Sequence, residues 1–264
     1  MKIIRFLDQA NQVSLGEPVD GKTAKRLRGD LLGKLEPTGE TATIARLLPP
    51  VDPPNIMAIG LNYRAHAAES GAEIPNEPVI FVKATTSLTG PGDPIVLPKS
   101  APDEVDYEAE LAIIIGRKTR NVSEADARTY VLGYTCANDI SARDCQIRRD
   151  KQWARAKGFD TFCPLGPVLI TPDAIDPDNL PIRCVLNGKV MQDSNTNDLI
   201  FSTDKVVSFL SHQFTLLPGT VIVTGTPEGV GCARKPPVYL RPGDTVSVEI
   251  DGIGALTNPV VAEK

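Results

Sequence analysis

Glu108 and Glu110 stand two apart in the run Val105-Asp106-Tyr107-Glu108-Ala109-Glu110-Leu111-Ala112-Ile113-Ile114-Ile115. The run reads as a β-strand entering a core, and residues two apart in a strand share a face, about 6–7 Å apart at Cα. Like charges placed this way repel, and burying either one alone is costly. A divalent cation removes the conflict. Asp139 follows at the end of a second apolar stretch, Tyr134-Thr135-Cys136-Ala137-Asn138-Asp139-Ile140. Three carboxylates with no neighbouring thiol pair make a hard-oxygen donor set, suited to Mg²⁺, Mn²⁺ or Ca²⁺ rather than structural zinc. The competing reading leaves both glutamates in solvent on an edge strand and Asp139 in a turn. The direct continuation into Leu-Ala-Ile-Ile-Ile favours the metal site.

A second group lies in Gly60-Leu61-Asn62-Tyr63-Arg64-Ala65-His66-Ala67-Ala68-Glu69. In a helix His66 and Glu69 share a face, and a carboxylate beside an imidazole fixes its tautomer and raises its basicity, as a general base on water requires. An ordinary surface pair accounts for the same spacing equally well. The only other histidine, His212, falls in an amphipathic helical pattern and reads as structural. Gly60 and Gly71 bracket the segment and would let it move as a lid. Near Asp139 in sequence, Arg143, Gln146 and Lys157 offer cationic and amide donors for a carboxylate or oxyanion. Arg148, Arg149 and Arg155 read instead as a solvated face. The turn Thr224-Gly225-Thr226-Pro227-Glu228-Gly229-Val230-Gly231 lacks the Lys-Ser/Thr of a phosphate loop. Its use would be close backbone approach to a ligand, with the Thr226 hydroxyl as a further partner.

The elements that position these groups are mostly strands. Strand-like runs recur at 2–7, 12–15, 56–59, 78–82, 95–97, 105–115, 131–139, 168–170, 182–186, 221–224 and 245–250. Asn187-Gly188 and Asp251-Gly252 signal hairpins. Helical patterns are fewer: 123–131, opened by a Ser123-x-x-Asp126 cap, and 202–217, capped by Ser202 or Thr203. With 23 prolines and 21 glycines, the expectation is a mainly β, α+β architecture with short helices. A stiff proline-rich connector at 49–54 divides a small N-terminal β-rich subdomain, 1–52, from a catalytic domain, 53–264. The 264 residues are 41% hydrophobic, which supports a packed core, and the net charge of −5 with no dense basic run argues against nucleic acid or anionic membranes as partners. The most basic stretch, 143–157, is interleaved with Asp144 and Asp150. Five scattered cysteines without a C-x-x-C pair argue against a disulfide framework. No membrane-length apolar run or signal segment stands out, so the expected location is cytoplasmic.

Together these segments resemble the fumarylacetoacetate hydrolase family. The resemblance also covers Lys83-Ala84-Thr85-Thr86-Ser87-Leu88, Gly90-Pro91-Gly92-Asp93-Pro94-Ile95 and Lys157-Gly158-Phe159-Asp160-Thr161-Phe162-Cys163-Pro164-Leu165-Gly166-Pro167, and spans about 55–260 in order. It implies a β-sandwich roll, a homodimer, and Mg²⁺ or Mn²⁺ on Glu108, Glu110 and Asp139. His66 and Glu69 would be the base dyad, with Lys157 also catalytic, and Tyr63, Arg143, Gln146 and Thr226 would contact a small 2-oxo acid substrate. The leading expectation is hydrolysis of a C–C bond in an acylpyruvate-type 2,4-dioxo acid. The alternatives are an oxaloacetate decarboxylase or tautomerase, or an isomerase/decarboxylase of aromatic-catabolic 2-oxo dicarboxylates. From another class, a non-catalytic small-molecule binding protein is the rival.

Overall fold

Alternating apolar residues in the first fifty positions build four antiparallel strands, β1 (Lys2–Asp8), β2 (Val13–Pro18), β3 (Thr23–Gly29) and β4 (Leu35–Leu48). The computed structural model describes residues 1–149 and 151–264; Asp150, one of the acids interleaved in the basic stretch, lies outside the described residues. Beyond the connector come β5 (Ile56–Gly60), helix α1 (Arg64–Ser70), β6 (Val79–Lys83), β7 (Leu88–Thr89), β8 (Ile95–Leu97), β9 (Val105–Asp106) and β10 (Ala109–Ile115). Then follow α2 (Glu124–Ala127), β11 (Val131–Asn138), β12 (Ser141–Ala142), a π-helical turn (Asp144–Arg149) and α3 (Trp153–Lys157). The chain closes with β13 (Cys163–Ile170), β14 (Pro181–Leu186), β15 (Lys189–Asn195), α4 (Thr203–Gln213), β16 (Val221–Val223), β17 (Thr245–Ile250) and β18 (Gly254–Ala262).

Among the described residues, one sheet of eleven strands runs β2-β3-β4-β1-β13-β11-β10-β16-β5-β6 with β7 beside β13, and a second of five runs β15-β14-β17-β18-β8. The fold is mainly β with short helices. The N-terminal strands join the large sheet directly, because Lys2 and Ile3 pair with Ile170 and Leu169. Strand β10 is central. It is paired on both edges, by β11 and β16, and every residue in it is buried. Leu111, Ile113 and Ile115 belong to the core shared with Ile182, Val246, Val248 and Leu256 of the second sheet. Ala112 and Ile114 pack on the opposite face with Ile56, Ala58, Val221 and Val223. Strict alternation therefore puts Glu110 on the Ala112 face, away from the inter-sheet core.

β3 and β4 lie outside the expected runs, and two expected elements are split or cut short. The run 105–115 is not one strand, since it breaks at Tyr107 and Glu108. Their amides leave the ladder for side-chain acceptors: Tyr107 N–H donates to Asp106 Oδ1 at 2.9 Å, and Glu108 N–H to Asn138 Oδ1 at 3.0 Å. The helical pattern 202–217 ends at Gln213, because Leu216 instead exchanges two 2.9 Å backbone hydrogen bonds with Thr119. The Asn187-Gly188 and Asp251-Gly252 turns join β14 to β15 and β17 to β18 as expected. No helix among the described residues is long and apolar enough to cross a membrane.

Asn62 ties the entrance of α1 to two distant segments. Its Nδ2 donates to the carbonyls of Thr224 at 2.8 Å and Phe201 at 3.1 Å, and its Oδ1 accepts from Phe201 N–H at 2.8 Å. Asn62→Ala strands these buried groups, and we expect a loss of roughly 2–4 kcal/mol in chemical denaturation. A loss below about 1 kcal/mol would show that the three bonds do not act as the anchor.

Candidate active site and metal centre

The antiparallel register of β10 and β11 pairs Ala109 with Asn138, so Glu108 and Asp139 emerge side by side where the two strands end. Asp139 N–H donates to the Glu108 carbonyl at 2.9 Å, which closes the corner. Glu110, one pleat further in, completes a buried group in which one carboxylate oxygen from each of Glu108, Glu110 and Asp139 lies within 4.8 Å of the others. The edge-strand reading fails, because Glu110 is 2% exposed.

Three buried cations surround this cluster. Lys157 Nζ spans Glu108 Oε2 at 2.6 Å and Asp139 Oδ2 at 2.5 Å. Lys83 Nζ, from the end of β6, meets Asp139 Oδ1 at 2.5 Å. Arg143 lies 2.7 Å from Glu108 Oε1 and 2.8 Å from Asp106 Oδ2. Both oxygens of Glu108 and of Asp139 thus face a cation. Among the described residues, Glu110 accepts the Gly225 N–H at 2.7 Å and forms no ion pair. With all four buried carboxylates ionised, Asp106 included, Lys83, Lys157 and Arg143 would leave one negative charge unbalanced. For Glu108, burial would raise the carboxyl pKa, but Lys157 and then Arg143 outweigh it and hold the group at about 2. For Glu110, burial and then the charges of Asp139 and Glu108 push the carboxyl well above the ordinary range. For Lys157, burial favours the neutral amine, yet Asp139 and Glu108 prevail and raise its pKa. Hard oxygen donors, close convergence and one uncompensated charge fit a divalent cation held by Glu108, Glu110 and Asp139.

Of the other expected residues, His66, Gln146, Lys157, Arg143 and Thr226 meet at one cavity of about 240 Å³, lined also by Trp153 and the three acids. His66 Nδ1 lies 3.1 Å from Glu69 Oε2, and Glu69 Oε1 accepts from Gly229 N–H at 2.9 Å. The dyad is therefore more than a surface pair, because it joins α1 to the glycine-rich turn and leaves Nε2 free of that bond. Gln146 presents its Oε1 to Arg143 Nη1 at 2.8 Å. Thr226 is already engaged: its hydroxyl donates to the Ala109 carbonyl at 3.0 Å and accepts from Gln192 Nε2 at 2.8 Å. Tyr63, expected at the substrate, does not line the cavity. It is fully buried beneath α1, where it pairs with Leu199. Arg148 and Arg149 pair with Glu104 and Asp144 at the surface, in keeping with a solvated face.

Sequence reasoning assigned no role to Lys83, Asp106 or Gln192. Asp106 is fully buried and accepts from Tyr107, Gly231 and Cys232 amides as well as Arg143 Nε. Its signal was its place in the same run as the two glutamates, one residue out of phase with neither of them. Lys83 ends the apolar run Val79-Ile80-Phe81-Val82, where a terminal lysine reads as the solvated end of a strand. Gln192 is a single amide in a hairpin strand, and nothing local marks it.

A β fold of two packed sheets with a buried acid cluster at the end of adjacent central strands defines a class of enzyme scaffold. Residues 55–261 match the family model described as fumarylacetoacetate (FAA) hydrolase C-terminal. The chain belongs to the fumarylacetoacetate hydrolase family. Residues 1–50 match a separate model, Rv2993c-like, N-terminal. A relative from Xenopus laevis, named oxaloacetate tautomerase fahd2, mitochondrial, is 51% identical over 222 residues, covering 83% of this chain and 69% of the relative. The solved structure of 5-carboxymethyl-2-hydroxymuconate delta-isomerase from Mycobacterium smegmatis is 43% identical with a TM-score of 0.88, and all of both chains is covered. That of fumarylacetoacetate hydrolase from Exiguobacterium antarcticum is 37% identical with a TM-score of 0.89, again over all of both chains.

Because the Glu110 carboxyl is raised, the metal-free native state binds its proton more tightly than the unfolded chain does. Its contribution is thus lost as pH rises through the native pKa. In chelator, Glu110→Gln should be the more stable protein at pH 8, with the gap closing as pH falls. Saturating Mg²⁺ or Mn²⁺ at about 100-fold its Kd should raise the wild-type Tm by roughly 5–10 °C and reverse the order. Equal melting shifts in both proteins would remove Glu110 from the metal site.

Proposed function

We propose that this enzyme is a tautomerase of oxaloacetate or a closely related short 2-oxo diacid. The observation that carries this reading is the oxaloacetate tautomerase relative, 51% identical over 222 residues that cover 83% of this chain. The cavity supports it, since about 240 Å³ suits a small diacid. The activity class departs from the C–C hydrolysis expected from the residues. The dyad and acid cluster serve both reactions, and the names of the relatives weigh toward proton transfer.

The chemistry needs a base, a place for negative charge and anchors for carboxylates. His66, with Nδ1 held by Glu69, offers Nε2 to the cavity and takes the C3 proton of the keto acid. Negative charge moves onto the 2-oxygen as the C2–C3 double bond forms. The buried ammonium of Lys157 stabilises that oxygen at little reorganisation cost, because two carboxylates already fix its position. Return of the proton from His66 to this oxygen gives the enol, and the reverse sequence regenerates the ketone. The amide nitrogen of Gln146, whose oxygen accepts from Arg143 Nη1, binds the distal carboxylate in this reading. A divalent cation on Glu108, Glu110 and Asp139 would supply Lewis acidity to the 2-oxo group and adjacent carboxylate.

Hydrolysis of an acylpyruvate is the second reading, favoured by the Exiguobacterium structure. There the same dyad would deprotonate water. The test follows loss of the enol absorbance of oxaloacetate with Mg²⁺ or Mn²⁺ present, beside release of pyruvate from acetylpyruvate. Wild type should accelerate the first far more than the second. His66→Ala should slow tautomerisation about 10²–10⁴-fold. Efficient acetylpyruvate cleavage without enol loss would overturn the tautomerase reading.

A further inference from the structure

Trp153 is the chain's one tryptophan, and its seat is unusual. A Cβ on Gly60 would come within 2.2 Å of Trp153 Cζ3 and 3.0 Å of Cη2. The indole therefore rests on bare backbone at the end of β5, and any side chain at position 60 would displace it. The edge of Phe81 meets the indole at 78°, with centroids 5.5 Å apart. Phe81 also lies under Lys157 Nζ, 5.1 Å from the ring centroid. Lys157 follows Trp153 by four residues on α3, so both lie on one face of the helix.

These contacts form a row: acid cluster, Lys157, Phe81, Trp153. Trp153 lines the same cavity as Glu108, Glu110 and Asp139. An acid anchored by its 2-oxo end at the cluster and by its distal carboxylate at Gln146 carries the methylenes between them past this apolar wall, where Leu61 and Ala72 also stand. The wall makes no ion pair with ligand, so it selects by volume. We propose that Trp153, seated on Gly60, is a specificity-determining residue that sets the maximum chain length of the 2-oxo acid the cavity accepts. This rests on the reading of the cavity as a 2-oxo acid site. Gly60 is part of the device, because only a glycine there lets the ring lie far enough back to leave room for a four-carbon diacid.

The experiment compares wild type, Trp153→Phe and Trp153→Leu, each with added Mg²⁺. The ligands are oxaloacetate and the 2-oxo diacids one and two methylenes longer. kcat/KM is measured for tautomerisation and Kd by calorimetry. In Trp153→Leu the longer acids should gain in absolute affinity, and their preference relative to oxaloacetate should rise at least about 10-fold. Trp153→Phe keeps a ring against Phe81 and should shift the ratio in the same direction by about threefold, which covers the case in which the leucine variant does not fold. Equal weakening of all three acids, or an unchanged ratio in either folded variant, would overturn the proposal. If wild type does not turn over oxaloacetate, the tautomerase reading falls, and the calorimetric ratios alone then decide the role of the wall.

Discussion

The site depends on a single electrostatic constraint, the compensation of negative charge inside a β core. Burying one carboxylate without a partner costs several kcal/mol, and here four lie together. Lys83, Lys157 and Arg143 arrive from β6, α3 and the segment after β12 to meet them. The consequences reach beyond the site. The end of β6, the start of the π-helical turn and the end of α3 are each fixed by an ion pair to the same corner of the sheet. Arg143 and Asp106 also fasten the glycine-rich segment, since Asp106 accepts the Gly231 and Cys232 amides. The residual imbalance at Glu110 is what a dication would settle, so the same arithmetic that organises the fold also defines the candidate metal position.

The acid cluster is placed by backbone register, not by flexible side chains. Adjacent central strands cannot slip by one residue without turning every core side chain of β10 to the wrong face. Leu111, Ile113 and Ile115 on one side, with Ala112 and Ile114 on the other, lock that register. Hydrophobic packing therefore supplies the precision that charge alone would lack. It also explains why the break at Tyr107 and Glu108 matters. With its amide drawn to Asn138 Oδ1, Glu108 sits just outside the ladder, where Lys157 and Arg143 reach its two oxygens from different directions.

Much of this was legible in the sequence because it is local or periodic. The two-residue spacing of Glu108 and Glu110, the apolar run behind them and the i, i+3 pair His66–Glu69 all report directly on geometry. The mainly β character and the hairpins at Asn187 and Asp251 were legible for the same reason. What was hidden is long-range. Lys83 reaches Asp139 across 56 positions, and Gln192 reaches Thr226 across 34. Such partners carry no local pattern. Tyr63 is hidden in another sense: Gly60, Leu61 and His66 of its motif line the cavity, while Tyr63 itself is fully buried and does not.

The base and the acid cluster are held by different physics. The carboxylates stand on strands buried on both faces. His66 stands on α1, a seven-residue helix too short to persist alone in water. Only Ala67 in it is buried, so packing contributes little. Polar ties hold it instead. Ala65 N–H donates to Asp198 Oδ2 at 2.9 Å, Arg64 Nη1 to the Leu199 carbonyl at 2.5 Å, and Gly229 N–H to Glu69 Oε1 at 2.9 Å. The last of these ends on the residue that orients the imidazole. The orientation of the base is thus tied to the glycine-rich turn as well as to its own helix. In the proposed reaction, a base tied this way keeps its imidazole oriented without relying on the packing of so short a helix.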